Sequence, residues 1–235
     1  MMKPAFALTG ALALFATGAS AQVTNPVSLG ASMTGQPVAF DVPGLAYVVD
    51  GYRSAKWGMT PDQVRAAIAR DLPGARIGAA TVDPVERTTV IVAQLPALAP
   101  GPGPAAISYI FGAQSGTLFH VNLDWSAEQA NAADRAALTA AGAQAVQSLV
   151  GYYWKLMTVA RGIALGPNAL SLFAATGEAG GLVDIRLQGV GYRLERPEGG
   201  AVVMPPPPDG TPALLHIGWA QSATPDVYRI RPGEF

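Results

Sequence analysis

Thr117-Leu118-Phe119-His120-Val121-Asn122-Leu123-Asp124-Trp125 is the stretch on which the reading of this chain turns. Successive side chains of an extended strand point to opposite faces, so Leu118, His120, Asn122 and Asp124 share one side and Phe119, Val121, Leu123 and Trp125 the other. A strand with one wet and one dry face belongs to an antiparallel sheet packed on a core from one side. Two β-branched runs precede it, at residues 88–95 and 106–111. The proline-rich segment 96–104 (PALAPGPGP) separates those two runs and excludes a helix between them. Gln114-Ser115-Gly116 joins the second run to the third as a tight hairpin.

Working back from these strands, Thr60-Pro61-Asp62-Gln63 predicts a helix start. Thr60 caps the free backbone amides, Pro61 sits where a missing N–H costs nothing, and Gln63 completes a capping box. Val64, Ile68 and Leu72 then recur at helical spacing until Pro73-Gly74 ends the run. The dry strand face is expected to lie on this helix. Working forward, Ser126 predicts a second helix with Gln129 as its capping partner. No proline interrupts the pattern before Arg161, a length of about 50 Å, and a break is expected near Gly142 or Gly151. Residues 170–176 and 182–195 read as strands around a turn at 177–181, with Val183, Ile185 and Leu187 dry and Asp184, Arg186 and Gln188 wet. Prolines 205–208 form a short polyproline loop, residues 213–220 a last strand, and 226–235 a tail.

The fold class is therefore α+β: antiparallel β-meanders packed against helices, expected as two related halves joined by the long helix. The residue-level sign of two halves is Leu118-Phe119-His120-Val121 beside Leu214-Leu215-His216-Ile217. The divisions are a signal peptide at 1–21, a mobile leader at 22–51, a helix with a three-stranded meander at 52–125, and the long helix with a C-terminal antiparallel sheet at 126–235.

The signal peptide rests on Lys3, the apolar stretch 5–18 and the small-x-small site Ala19-Ser20-Ala21, with cleavage expected after Ala21. Fourteen apolar residues are too few to span a bilayer, which takes about 20. No second stretch is long enough, so no membrane span is expected, and the location is read as periplasmic. The chain has no cysteine, which excludes disulfides and a lipid anchor on cysteine. Only Lys3, Lys56 and Lys155 among the fifteen basic residues are lysines, a usage typical of GC-rich bacterial genomes. Charges are sparse and unclustered, so no nucleic-acid partner is expected.

The segment Gly58-Met59-Thr60-Pro61-Asp62-Gln63-Val64 resembles the helix opening of the SmpA/OmlA family of outer-membrane assembly lipoproteins. Their helix-plus-three-strand pattern is also used in tandem by secreted β-lactamase inhibitory proteins. The resemblance covers residues 52–125; this chain lacks the lipidation cysteine, and its second helix lies outside the pattern. It implies a non-catalytic envelope domain that binds another protein, and it carries over no functional residue.

The two histidines, His120 and His216, could meet across a sheet with Asp124. Neither belongs to a close ligand pair, so no metal is assigned. Ser115 lies one position late for a hydrolase elbow, although a Ser115–His120–Asp124 triad has workable spacing. Asp50, Asp124, Asp184 and Glu195 supply acid pairs of unknown separation. No catalytic residue and no cofactor are assigned. Among the aromatics, Trp57 before the helix cap is the expected exposed anchor, and with Arg186 and Gln188 it makes the expected partner-binding set. The leading expectation is a protein-binding or assembly module with an envelope protein as partner. The alternatives are a secreted hydrolase using His120 or His216, and a binder of a small apolar ligand.

Overall fold

The computed structural model describes residues 46–195 and 199–229. The signal peptide, most of the leader and the end of the tail lie outside them. In chain order the strands of the first half are β1 (Gly51–Tyr52), β2 (Ala55–Lys56), β3 (Arg76–Ile77), β4 (Thr81–Val82), β5 (Thr89–Leu95), β6 (Ala105–Phe111) and β7 (Leu118–Ala127), with helix α1 (Pro61–Asp71) after β2. Helix α2 (Ala132–Gln147) opens the second half. It is followed by β8 (Ala160–Gly166), β9 (Ala169–Thr176), β10 (Leu182–Gln188), β11 (Tyr192–Glu195), β12 (Ala201–Met204) and β13 (Ala213–Ala220). The α+β class holds, with strand dominating.

One nine-stranded sheet organises the described residues, in the order β3-β5-β6-β7-β13-β10-β9-β8 with β4 also pairing β5. Every pairing in it is antiparallel. The last strands of the two runs, β7 and β13, pair with each other and make the sheet continuous. The predicted alternation sets its faces, except at the start of β7: a bulge opposite Ile110 and Phe111 turns Leu118, expected on the wet face, into the core and leaves Phe119 out of it. Ala93, Ile107, Leu123, Ile217, Ile185 and Phe173 stand in register as one row across six strands. All six are buried in the core cluster that also holds Val64, Ala67 and Ile68 of α1 and Leu138, Ala141 and Ala145 of α2. Both helices thus cover the same face. At Gly142, α2 comes so close that a β-carbon would lie 2.6 Å from Leu172 Cδ1, so this glycine serves packing and not the helix break expected there.

Helix α1 starts as its sequence dictates. Thr60 Oγ1 accepts from the Gln63 amide at 3.5 Å, and Gln63 Oε1 accepts from the Thr60 amide at 2.9 Å. The second helix differs from expectation at both ends. Ser126 does not cap it, because β7 continues to Ala127, which pairs with Ala213. Asn131 is the cap: its Oδ1 accepts from Ala133 and Asp134 at 2.8 and 3.1 Å, and Asp134 returns a bond to the Asn131 amide at 3.0 Å. Asn131→Ala should therefore cost about 1 kcal/mol and Ser126→Ala almost nothing, measurable by urea unfolding. Equal effects would put the cap elsewhere.

The long helix linking two halves is corrected: α2 ends at Gln147. The chain then folds back over the core, where Trp154 is buried between Tyr47 and Phe173, and its indole N–H donates to Leu149 O at 3.0 Å. Residues 160–166 pair with β9 as a strand. Helix propensity there is weakened by Gly162 and Gly166, and sheet pairing satisfies a row of β9 backbone groups that a helix would leave open. The leader also ends early, since Ala46 bridges Tyr153 and Val49 is buried. The expected strand 182–195 is two elements. Gly189, at φ 67°, breaks it where a β-carbon would lie 2.0 Å from Pro212 O.

Candidate functional site

Neither helix covers the opposite face of the sheet, which carries polar residues of the alternating strands; the segment after β13 bonds along one end of the sheet, with the Gln221 amide donating to Phe119 O and the Tyr228 amide to Glu86 O. Two rows run across it. Gln94, Ala106, Asp124, His216 and Arg186 stand in register from β5 to β10. Beside them lie Val92, Ser108, Asn122, Gly218 and Asp184. The wet residues of two distant segments, 120–124 and 184–186, thus meet at the β7–β13 seam.

His216 Nδ1 lies 2.7 Å from Asp124 Oδ1, with side-chain exposures of 19% and 30%. An ionised carboxylate only accepts, so Nδ1 carries the proton and Nε2 is left to face the central row. Arg186 Nε lies 2.6 Å from Asp184 Oδ2. That contact gives the buried Asp184 Oδ2 the guanidinium as its direct partner, and the Asn122 side chain hydrogen-bonds to His120. Burial pushes the Asp184 carboxyl up, against the pull of Arg186 and His216. Burial also drives His120 down to about 4; Asn122 opposes this, while His216 and Arg186 reinforce it. These six side chains form one electrostatic cluster.

Gly218 lies at its centre. A β-carbon there would be 2.8 Å from Asp184 Oδ1 and 3.1 Å from His216 Nε2. Both side chains lean over the glycine and are held apart by nothing else in that strand. Its backbone is ordinary and its register regular, so the missing side chain serves close approach and not a turn.

Two depressions flank the cluster. One, about 530 Å³, is lined by Arg76, Gln94, Pro104, Ala106, Asp124 and Ser126. The other, about 270 Å³, is largely apolar, with Ile163, Leu165, Ala174 and Leu182 leading inward to Asp184 and Arg186. No family model, curated protein or solved structure matches this chain. The geometry therefore stands by itself.

Of the residues singled out in the sequence, Arg186, His120, His216, Asp124 and Asp184 come together here, and Gln188 is exposed two positions beyond Arg186. Trp57 does not join them. It is half-buried, its indole N–H donates to Val49 O at 2.8 Å, and it packs on the core under the helices. The exposed anchor expected at Trp57 is thus a structural residue on the other side of the sheet. Ser115 sits in the β6–β7 turn, where its Oγ accepts from Thr117 and its amide donates to Asp226. Its hydroxyl makes no bond to His120, so no triad forms. Asp50 and Glu195 pair with Lys56 and Arg193 at the surface. Among the described residues no three His, Asp or Glu side chains converge as a metal ion requires, and no helix is long and apolar enough to cross a membrane. Asn122 and Gly218 are the residues that sequence reasoning passed over. A glycine in the middle of an otherwise apolar strand was the available sign.

Proposed function

We propose that this protein is an exported, periplasmic protein-binding module whose uncovered sheet face receives a partner protein. The observation that carries the reading is a continuous nine-stranded sheet with both helices on one side and a half-buried polar cluster between two depressions on the other. That cluster brings Asp124, His216, Asp184 and Arg186 from three strands into direct contact on this face. The helix opening at residues 58–64 and the helix-then-strands order are in keeping with the SmpA/OmlA-like resemblance.

The two runs are further read as related halves. Matching 118–121 to 214–217 makes Asn122 equivalent to Gly218, and these two are a paired position of β7 and β13. A pseudo-twofold axis would pass between them, placing His120 and His216 each two residues before it.

The test compares proteins retained from an envelope extract by three baits: the wild type, Gln188→Trp on the open face, and Ala140→Trp on the exposed side of α2. A partner retained by the wild type and Ala140→Trp and lost from Gln188→Trp is the expected result. Equal retention by all three would remove the face from consideration. The His216–Asp124 contact favours one second reading, acid–base hydrolysis at that pair, which predicts that His216→Gln abolishes a hydrolytic activity without altering partner retention.

A further inference from the structure

The smaller depression on the open face is apolar on one side and rich in hydrogen-bond donors on the other. It lies over β10, β9 and the edge strand β8. Ile163 and Leu165 of β8, both exposed, form its apolar side with Ala174 of β9 and Leu182 of β10. Leu156 and Met157, on the turn before β8, are exposed as well, so the apolar surface continues past the rim as it does at binding sites. Toward the inner end, Arg186, Ser171 and Ile163 stand in register across the three strands. Ser171 is 7% exposed and lines the depression, and among the described residues its hydroxyl bonds to none. A buried hydroxyl is ordinarily bonded. Arg186 turns its Nε to Asp184, and among the described residues its Nη1 and Nη2 make no hydrogen bond. Those two nitrogens carry four N–H groups.

Charge selects what these donors accept. Asp184 already balances Arg186. A carboxylate brought to the guanidinium meets Asp184 beside it, and a cation meets Arg186. A neutral carbonyl oxygen takes the free N–H and O–H groups without adding a charge. Polypeptide offers that group next to an apolar side chain at every aliphatic residue. At about 270 Å³ the depression is smaller than most drug-sized pockets, roughly 300–1,000 Å³, and suits a single side chain.

We infer that this depression is the anchor pocket of the open face. It takes one aliphatic side chain of the partner, of the leucine, isoleucine or methionine type, while Arg186 and Ser171 donate to the main-chain carbonyl beside it. The inference rests on the open face being the binding face and names what the partner brings to it.

The probes are N-acetyl-leucinamide, N-acetyl-glycinamide, which keeps the carbonyls without the side chain, and N-acetyl-leucine, which carries a carboxylate. The backbone amide NMR signals of Ile163, Ser171 and Ala174 read them. These signals should move with N-acetyl-leucinamide and stay in place with N-acetyl-glycinamide, and N-acetyl-leucine should bind more weakly than its amide. Ala174→Leu fills the depression and should abolish the shifts with the thermal midpoint little changed. Ser171→Ala should weaken the leucinamide probe about fivefold, the worth of one hydrogen bond, and it decides the matter if leucine at 174 disturbs β9. Arg186 is left in place, because its removal strands Asp184. Equal shifts with the glycine probe, no shifts with N-acetyl-leucinamide, tighter binding of the acid, or unaltered affinity in either folded variant would overturn the inference. A partner lost from Gln188→Trp but kept by Ala174→Leu would likewise overturn it and leave the face as the binding site. A partner kept by Gln188→Trp would overturn the proposed function, while the probe titration would still decide the pocket.

Discussion

Replacing Arg135 with methionine should lower the stability of this protein by about 3–5 kcal/mol, with a thermal midpoint down by roughly 10 °C. Arg135 is buried in the first turn of α2. All five N–H groups of its guanidinium are used. Nε donates to Gly189 O at 2.8 Å, and Nη1 donates to Ala130 O at 2.8 Å and Asp209 Oδ1 at 3.3 Å. Nη2 donates to Pro208 O and Thr211 O, each at 3.0 Å. One side chain thus fastens the start of α2 to the end of β10 and to the proline loop that leads into β13. Methionine keeps the volume and strands the Gly189 and Thr211 carbonyls, each costing about 1–3 kcal/mol if water does not replace the bond. The Ala130 and Pro208 carbonyls are spared, because the Gly210 and Thr211 amides also donate to them at 3.0 and 3.2 Å. Lysine offers three donors without the planar fork and should recover less than half of the loss. Asp209 is 75% exposed, so Asp209→Ala should change stability by no more than about 0.5 kcal/mol. Chemical denaturation of the four proteins checks this. A loss under 1 kcal/mol in Arg135→Met would mean that desolvating the guanidinium offsets its bonds.

Arg135 also shows where legibility in the sequence stops. Apart from Ala130, its partners lie 54 to 76 positions away, and no local pattern distinguishes it from a solvated helix arginine. What was legible is local. The alternation assigned both faces of β7 from His120 to Trp125, while a bulge that no local pattern announces turned Leu118 into the core; the Thr60–Gln63 spacing located the start of α1, because period and capping act over a few residues. The α2 boundaries were not legible, since each was decided by pairing across the sheet. Ala127 is held in β7 by Ala213, and 160–166 is held as strand by β9. Tertiary pairing overrode a permissive helical composition. The candidate site divides the same way. His120, Asn122 and Asp124 read as one wet face and Asp184, Arg186 and Gln188 as another. That the two faces are one surface follows from β13 running between β7 and β10, a long-range choice that periodicity does not encode. Trp57 failed as an anchor for a related reason: its place before a cap left its indole free to turn inward to Val49 O.

Stability should fall as the pH drops from about 6.5 towards 4, and His120 should account for most of that slope. Burial holds its imidazole neutral down to about 4, whereas an unfolded chain protonates histidine near 6.5. Between those values the unfolded state binds more protons than the native one, so stability rises with pH across the window and is flat above it. A difference of that size is worth roughly 3 kcal/mol at its fullest. Asp184 acts in the opposite sense. Its carboxyl is raised by burial, so the native state takes up a proton there more readily than the unfolded one, and acidification through that range returns stability. The two effects overlap at the acid end, which is why the wild-type curve alone does not isolate either. His120→Gln retains a hydrogen-bonding side chain beside Asn122 and does not titrate, and every other ionisable group is common to both proteins. The difference between the two stability curves should therefore be constant above pH 7 and change by about 3 kcal/mol on reaching pH 4, with the variant the less sensitive. Parallel curves would mean that the His120 ring is hydrated in the folded protein, and that the floor of the open face is wetter than its packing indicates.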